Sequence, residues 1–136
     1  MRYLLDTSTV SALARPRPPP GLERRLELHG GQCAIAALVV AELRYGAQRH
    51  PNPLRRERLT AFVDGVVSST PVFAFDARAA EWLGLERARL ELAGTPVDLA
   101  DLIIAATAAA NQLVVVTANL RPFDRIRVPV EDWTAA

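Results

Sequence analysis

Short apolar runs alternate along this chain with longer segments in which apolar residues recur at helical spacing. Runs without polar alternation are typical of strands that are buried on both faces. They predict four strands and a candidate fifth, over residues 3–5, 33–36, 71–75, 113–116 and 126–130. Helical spacing and helix-starting residues predict helices over residues 9–14, 21–29, 38–48, 54–67, 77–93 and 98–111.

The order of these elements predicts an α/β fold with a mainly parallel central sheet of four to five short strands flanked by helices. No repeat, low-complexity tract or second domain interrupts the pattern, so we expect one domain over residues 1–136. The proline-rich stretch from Pro16 to Pro20 is too short for an interdomain linker. We interpret it as an extended loop near the functional site.

Composition removes several functions from consideration. The 136 residues are 50% hydrophobic and 23% charged, which fits a globular protein with a sizeable core. All 16 basic residues are arginine, so a P-loop phosphate site and lysine Schiff-base chemistry are excluded. The net charge of +1 does not by itself indicate a nucleic-acid-binding protein. Arginine nevertheless grips phosphate well, and the candidates for such contacts are Arg15, Arg17, Arg44, Arg49 and Arg121.

The single cysteine, Cys33, leaves no internal disulfide and no cysteine zinc site, which favours a reducing cytoplasmic setting. Its surroundings predict a turn that enters a buried strand rather than a catalytic thiol. Asp6 comes too early for a signal peptide. The apolar runs at residues 34–41 and 102–110 are too short or too interrupted to span a membrane. We therefore expect a soluble protein with no membrane partner.

Three carboxylates stand where a polar side chain is unusual. Asp6 directly follows the first predicted strand, and sites in parallel sheets form outside the carboxyl ends of the strands. Glu42 shares a helix face with Leu38 and Val39, where a carboxylate is costly to bury unless it is paired or bound to a metal. Asp101 heads the most apolar helix, which belongs in the core.

Each of these acids also has an ordinary structural interpretation. The first is a good helix N-cap. For Glu42 the alternatives are a salt bridge to Arg44 or Arg49, or an exposed position at the rim of the core. For Asp101 the alternative is a capping box in which Asp98 caps the helix.

Other titratable residues predict no site. Glu81, Glu86 and Glu91 share a long helix with several arginines, which is typical of a solvated face with local ion pairs. His29 and His50 lie at helix ends without a partner at metal-ligand spacing, so a surface role is expected for both.

Carboxylates that converge without histidine or cysteine favour a hard cation. Mg²⁺ is therefore the expected cofactor, with Mn²⁺ as the alternative. A cation also neutralises the repulsion among crowded carboxylates. Such ions commonly serve phosphoryl chemistry, in which they lower the pKa of a bound water.

Four segments that contain these residues resemble the motifs of the PIN-domain ribonucleases, and within them those of the VapC toxins of bacterial toxin–antitoxin pairs. The segments are YLLDTS at 3–8, VAELRYGA at 40–47, DLIIAA at 101–106, and VVTAN at 115–119 followed by Pro122 and Phe123. They occur in the family's order, and the likeness covers essentially the whole chain.

The resemblance implies that Asp6, Glu42 and Asp101 are the catalytic and metal-site acids. It implies direct coordination by Asp6 and Asp101, and coordination by Glu42 either directly or through water. Many relatives carry an acid where this chain has Pro122, which puts a second metal ion in question. The auxiliary candidates are Asn119, Asp98, Thr117 and Asp124.

The resemblance further implies an endoribonuclease that cleaves structured RNA such as transfer RNA, forms a homodimer and is inhibited by a cognate antitoxin. The alternative is an inactive PIN-like module that binds RNA or protein, with Pro122 marking a degraded site. Two other classes are disfavoured. An aspartyl phosphatase commonly needs a second aspartate where this chain has Ser8, and an auxiliary lysine, which this chain lacks. A receiver-type signalling domain is disfavoured because it needs paired early acids and a lysine after a late strand.

Overall fold

The computed structural model describes residues 1–135, and these form one five-stranded sheet flanked by helices. The strands are β1 (Tyr3–Leu5), β2 (Cys33–Ala36), β3 (Val72–Phe73), β4 (Val114–Val116) and β5 (Val130–Glu131). The helices are α1 (Thr7–Leu13), α2 (Pro20–His29), α3 (Ala37–Gln48), α4 (Pro53–Ser69), α5 (Ala77–Leu92), α6 (Leu99–Ala110) and α7 (Leu120–Phe123). A single 3₁₀ turn at Gly30–Gln32 joins α2 to β2.

Every strand pair in the sheet is parallel, and the spatial order is β3-β2-β1-β4-β5. From β1 the chain moves outward to β2 and β3, and then returns to the other side of β1 to form β4 and β5. The predicted α/β fold with a parallel sheet is confirmed. The direction of winding reverses between β1 and β4, and sheets of this kind form a crevice at that point, outside the carboxyl ends of the strands.

Two predicted strands differ from the observed ones. β3 is confined to two residues, which pair with Ile35 and Ala36 of β2. The fifth strand is β5 rather than residues 126–130, because the chain turns before it reaches the sheet. In that turn the N–H of Val128 donates to the carbonyl of Ile126 at 2.8 Å, so pairing with β4 begins only at Val130.

All six predicted helices are present, with small differences at their ends. α1 begins two residues earlier than predicted, because the side chain of Asp6 accepts the N–H of Thr9 and caps the helix. Prolines begin α2 and α4, at the helical position that tolerates a missing N–H. The four-residue α7, which contains Pro122, was not predicted.

α6 is the most deeply buried helix, as its apolar sequence predicts. Alanines of α5 and α6 (Ala79, Ala106 and Ala110) pack together, and their small side chains let the two helices approach closely. α3 also packs against α6, so the helix that carries Glu42 contacts the helix that carries Asp101. Among the helices of residues 1–135, none has the length and apolar character needed to cross a membrane.

Glu86 departs from the solvated helix face that was predicted for α5. Its side chain is only 7% exposed and accepts two hydrogen bonds of 2.7 Å from the guanidinium of Arg89. It also accepts the backbone N–H of Arg127 at 2.7 Å, while Arg89 donates to the carbonyl of Arg125 at 2.9 Å. The predicted local ion pair is present, but the predicted solvent exposure is wrong for Glu86, because this carboxylate is buried and ties α5 to the segment that precedes β5.

We expect Glu86→Ala to lower the free energy of unfolding by about 2 kcal/mol at neutral pH, because charged hydrogen bonds of this kind contribute on that order. The hydrogen bond from Arg89 is the main cause that lowers the pKa of Glu86 below its usual 4.5. The stabilisation is therefore complete above pH 4.5 and is lost as the pH falls through that value towards the folded pKa. Urea unfolding across this pH range measures the effect.

Glu91→Ala is the matched control, since Glu91 is an exposed acid on the same helix that pairs with Arg87 at 3.0 Å. An exposed pair of this kind contributes less than about 1 kcal/mol. Equal losses in the two variants, or a Glu86→Ala effect that persists unchanged in acid, would contradict the assignment.

Candidate carboxylate active site

The site begins at the carboxyl edge of β1 and β4, where the winding of the sheet reverses. The register pairs Leu5 with Val116, so the residues that follow, Asp6 and Thr117, leave the sheet side by side. The N–H of Asp6 donates to the carbonyl of Val116 at 3.0 Å, which continues the strand pairing to the base of the site. Both side chains are buried, with Asp6 5% exposed and Thr117 fully covered.

Asp6 is both the N-cap of α1 and a candidate site residue. Its Oδ1 accepts the N–H of Thr9 at 2.9 Å, and its Oδ2 accepts the hydroxyl of Thr117 at 2.5 Å. The hydroxyl of Ser8 lies 2.9 Å from Oδ1 and 3.0 Å from Oδ2, and it also accepts the N–H of Ala118 at 3.2 Å. Three donors therefore fix a buried carboxylate that has no cationic partner among the described residues.

Glu42 lies on α3 and is half-buried. The hydroxyl of Thr7 donates to its Oε1 at 2.5 Å. The alternative of a salt bridge does not hold, because Arg44 pairs with Asp64 at 2.6 Å and Arg49 lies over the ring of Tyr45. A neutral hydroxyl orients Glu42 and leaves its negative charge uncompensated.

Asp101 lies in the first turn of α6 and is half-buried. Burial raises the pKa of this carboxyl, and the negative charges of Asp98, Asp6 and Glu42 raise it further. Asp98 occupies the N-cap position, but its side chain makes no capping hydrogen bond, so the capping-box alternative does not hold. The charges of three acids from different parts of the chain therefore affect Asp101.

The donor set of this cluster fits a hard cation, since it consists of carboxylate and hydroxyl oxygens only. In the conformation described for residues 1–135, however, no three acidic, histidine or cysteine side chains lie close enough to ligate one ion together. The charges of Asp98, Asp6 and Glu42 affect Asp101. Hydroxyl groups donate to two of these acids, those of Ser8 and Thr117 to Asp6 and that of Thr7 to Glu42.

The auxiliary candidates are placed unequally. Thr117 contacts Asp6 directly, and Asp98 shifts the pKa of Asp101. Asn119 is exposed, and its backbone N–H donates to the hydroxyl of Thr117 at 2.9 Å. Asp124 is exposed at the end of α7 and is not among the acids that affect the pKa of Asp101.

Sequence reasoning included Thr7 and Ser8 in the YLLDTS segment but did not assign either residue to the site. The signal that could have found them is their position directly after Asp6, at the carboxyl end of a buried strand.

Comparison with known proteins identifies the family of the chain. The model of the PIN domain matches residues 3–129, so the chain belongs to the PIN-domain family.

Within that family the chain groups with the VapC ribonucleases. It is 37% identical over 134 residues to the tRNA(fMet)-specific endonuclease VapC of Salmonella typhimurium, with 98% of each chain covered. It is 34% identical over 135 residues to the protein of the same name from Shigella flexneri, covering 98% of this chain and 99% of that one. The structure of DNA-bound VapBC from Salmonella typhimurium superposes with a TM-score of 0.89 at 37% identity and 98% coverage of both chains.

We expect Asp101→Asn to raise the midpoint of thermal unfolding in EDTA, because it removes a half-buried charge that Asp98, Asp6 and Glu42 repel. Addition of Mg²⁺ or Mn²⁺ should raise the midpoint of the unmodified protein by mass action, and should raise that of the variant much less. Asp124→Asn is the control and should behave as the unmodified protein does. A variant that is less stable in EDTA, or equally stabilised by the ions, would contradict the coupling.

Proposed function

We propose that this protein is a metal-dependent endoribonuclease, the toxin of a VapBC-type pair, with Asp6, Glu42 and Asp101 as its acidic site. The observation that carries the proposal is the position of Asp6 at the carboxyl edge of the sheet, beside the reversal between β1 and β4, where its charge and that of Glu42 both affect Asp101. Relatives named as ribonucleases support the reaction, and those named as tRNA(fMet)-specific endonucleases support transfer RNA as the substrate class. We take residues 1–136 as one nuclease domain.

The three acids differ in how firmly the protein holds them, and this suggests a division of roles. Asp6 accepts three donors, Glu42 is held through Oε1 alone, and Asp101 accepts no hydrogen bond from residues 1–135. We infer that Asp6 and Asp101 hold the cation directly and that Glu42 holds it directly or through water. Oε2 of Glu42 is our candidate for accepting the proton that the attacking water loses.

PIN-domain VapC nucleases are generally metal-dependent, and we propose Mg²⁺ as the ion, with Mn²⁺ as a substitute that the same oxygens accept. When bound, such an ion lowers the pKa of a water molecule and stabilises negative charge on the phosphate. Asp98, at the exposed rim, adds negative potential that attracts the cation, and Asn119 is the candidate for a water-mediated contact. The hydroxyls of Thr7, Ser8 and Thr117 keep the acids oriented.

The first experiment is incubation of the protein, freed of any bound partner, with total transfer RNA in Mg²⁺, in Mn²⁺ and in EDTA. We expect discrete fragments that require the ion. Asp6→Asn, Glu42→Gln and Asp101→Asn should each lower the cleavage rate by about 10²-fold or more, as removal of a positioned catalytic group does. Asp124→Asn is the matched control and should lower the rate little.

RNA binding by a folded, unmodified protein that cleaves nothing in either ion would instead favour the inactive binding module. Cleavage that persists in EDTA, or in all three variants, would overturn the assignment of the acidic site.

An apolar surface supports the antitoxin as a protein partner. A recess of about 480 Å³, which we call the apolar recess, lies between α1, α2 and α4, with Leu13, Leu26, Phe62 and Val66 in its lining. Phe62 also lines a second recess of about 200 Å³ that includes Glu42, which we call the Glu42 recess. Structurally similar chains were solved in VapBC complexes from Salmonella typhimurium and Rickettsia felis. We propose that an apolar segment of the cognate antitoxin covers the apolar recess and reaches the acids.

Gly65 offers a clean test of this surface, because it lines the apolar recess and a Cβ added there meets no atom within 4 Å. We expect Gly65→Arg to fold normally and to lose co-purification with the co-expressed antitoxin while it keeps RNA cleavage. Gly84→Arg on α5 is the matched control, since a Cβ there also meets no atom within 4 Å. Retention of the antitoxin by the folded Gly65→Arg variant would place the partner elsewhere.

We also propose a homodimer and a cytoplasmic setting. Leu85 and Leu92 on α5 are 75% and 90% exposed, which supports contact with a second copy. Sedimentation of the free protein tests the dimer.

Burial raises the pKa of the Cys33 thiol to about 11, so this thiol stays protonated and unreactive at neutral pH.

A further inference from the structure

Two arginines near the beginning of α4 have no role in the site described above. Arg55 and Arg58, with Ala14, Pro16 and Leu59, line a recess of about 210 Å³, which we call the arginine recess. No acidic residue contributes to its lining. Both arginines are exposed, and neither is among the four salt bridges formed within residues 1–135. Two uncompensated cations at one concavity repel each other and favour an anionic occupant.

The other arginines of this region are engaged differently. Arg44 is held by Asp64, and Arg49 is drawn over the ring of Tyr45. Arg55 and Arg58 are three residues apart on a helix, so their side chains lie on the same face and can grip one group together. Guanidinium groups bind phosphate through paired N–H donors, which an isolated lysine does not do.

The arginine recess adjoins the Glu42 recess. Ala14 and Leu59 line both the arginine recess and the Glu42 recess, so the two concavities share a wall. An occupant anchored at the arginines can therefore extend to Glu42 along the surface between α1 and α4. A polyanionic chain fits this path better than a small anion does, because one phosphate can lie at the arginines while another lies at the metal-binding acids.

We propose that Arg55 and Arg58 bind a backbone phosphate of the RNA substrate at a nucleotide away from the scissile bond. This inference rests on the proposed function, since it assumes that RNA is the polymer that enters the acidic site. Contacts to phosphate position a nucleic acid without reading its sequence. The arginine recess therefore sets which phosphate of a bound strand reaches the acids, and sequence preference comes from elsewhere.

The test compares Arg55→Gln/Arg58→Gln with Arg125→Gln/Arg127→Gln, in proteins that also carry Asp101→Asn so that the RNA stays intact. The control pair removes the same charge from two exposed positions just before β5. β5 lies at one edge of the sheet, whereas α4 precedes β3, which lies at the opposite edge. The probe is a fluorescein-labelled RNA oligonucleotide that spans the mapped cleavage site. We expect the first variant to bind about tenfold more weakly or worse, as loss of charged hydrogen bonds implies.

The salt dependence gives an independent readout. Each lost phosphate contact should reduce the slope of log affinity against log salt by about 0.7 for a single strand. A nearly unchanged slope and affinity in the control pair would exclude a general effect of net charge. Circular dichroism and the thermal midpoint verify that both variants fold.

A scan with one neutral methylphosphonate at a time identifies the phosphate. At one or two positions other than the scissile one, the neutral group should weaken binding to the protein with intact arginines. At the same positions it should leave the affinity of the Arg55→Gln/Arg58→Gln variant unchanged. Additive losses at every position, or equal losses in the control pair, would overturn the proposal.

The outcomes separate this inference from the proposed function. If the unmodified protein neither binds nor cleaves RNA in Mg²⁺ or Mn²⁺, both fail. If it cleaves RNA and the Arg55→Gln/Arg58→Gln variant binds and cleaves equally well, only the phosphate site is overturned. Loss of antitoxin affinity with unchanged RNA affinity would also overturn it, because the arginines then serve an acidic protein segment.

Discussion

Parallel pairing of β1 with β4 is the constraint on which the candidate functional site depends. The pairing of Leu5 with Val116 brings Asp6 and Thr117 to the same edge of the sheet, where the hydroxyl of Thr117 donates to the carboxylate. The hydroxyl of Thr9 donates to the carbonyl of Val116 at 3.0 Å, so the first turn of α1 is fixed to β4 as well. A slip of one residue in this register would separate the pair and turn the flanking side chains to the other face of the sheet.

The same edge concentrates negative charge, and the protein compensates it unevenly. Hydroxyls and a backbone N–H stabilise Asp6, and one hydroxyl stabilises Glu42. Asp101 bears the unfavourable part, because burial and three neighbouring acids raise its pKa. The acids stay in this unfavourable arrangement because the elements around them are well packed. α6 is buried, and Glu86 joins α5 to the segment before β5.

The three recesses are neighbours that share lining residues. Phe62 belongs to both the apolar recess and the Glu42 recess, while Ala14 and Leu59 belong to both the Glu42 recess and the arginine recess. An antitoxin segment that extends from the apolar side and an RNA strand that extends from the arginine side would meet at Glu42. Inhibition would then be competition for one surface, which requires no change of conformation.

The hydrophobic pattern by itself determined the α/β class, the positions of β1, β2 and β4, the six longer helices, and Asp6, Glu42 and Asp101 as the unusual acids. Periodicity could do this because it reports whether a residue faces the core. It does not report the partner. Only the tertiary structure decided that Thr7 holds Glu42 across 35 residues of sequence and that Thr117 holds Asp6 across 111. The burial of Glu86, the two-residue length of β3 and the recess at Arg55 and Arg58 were likewise decided only by the tertiary structure. Each of these features depends on which elements pack together.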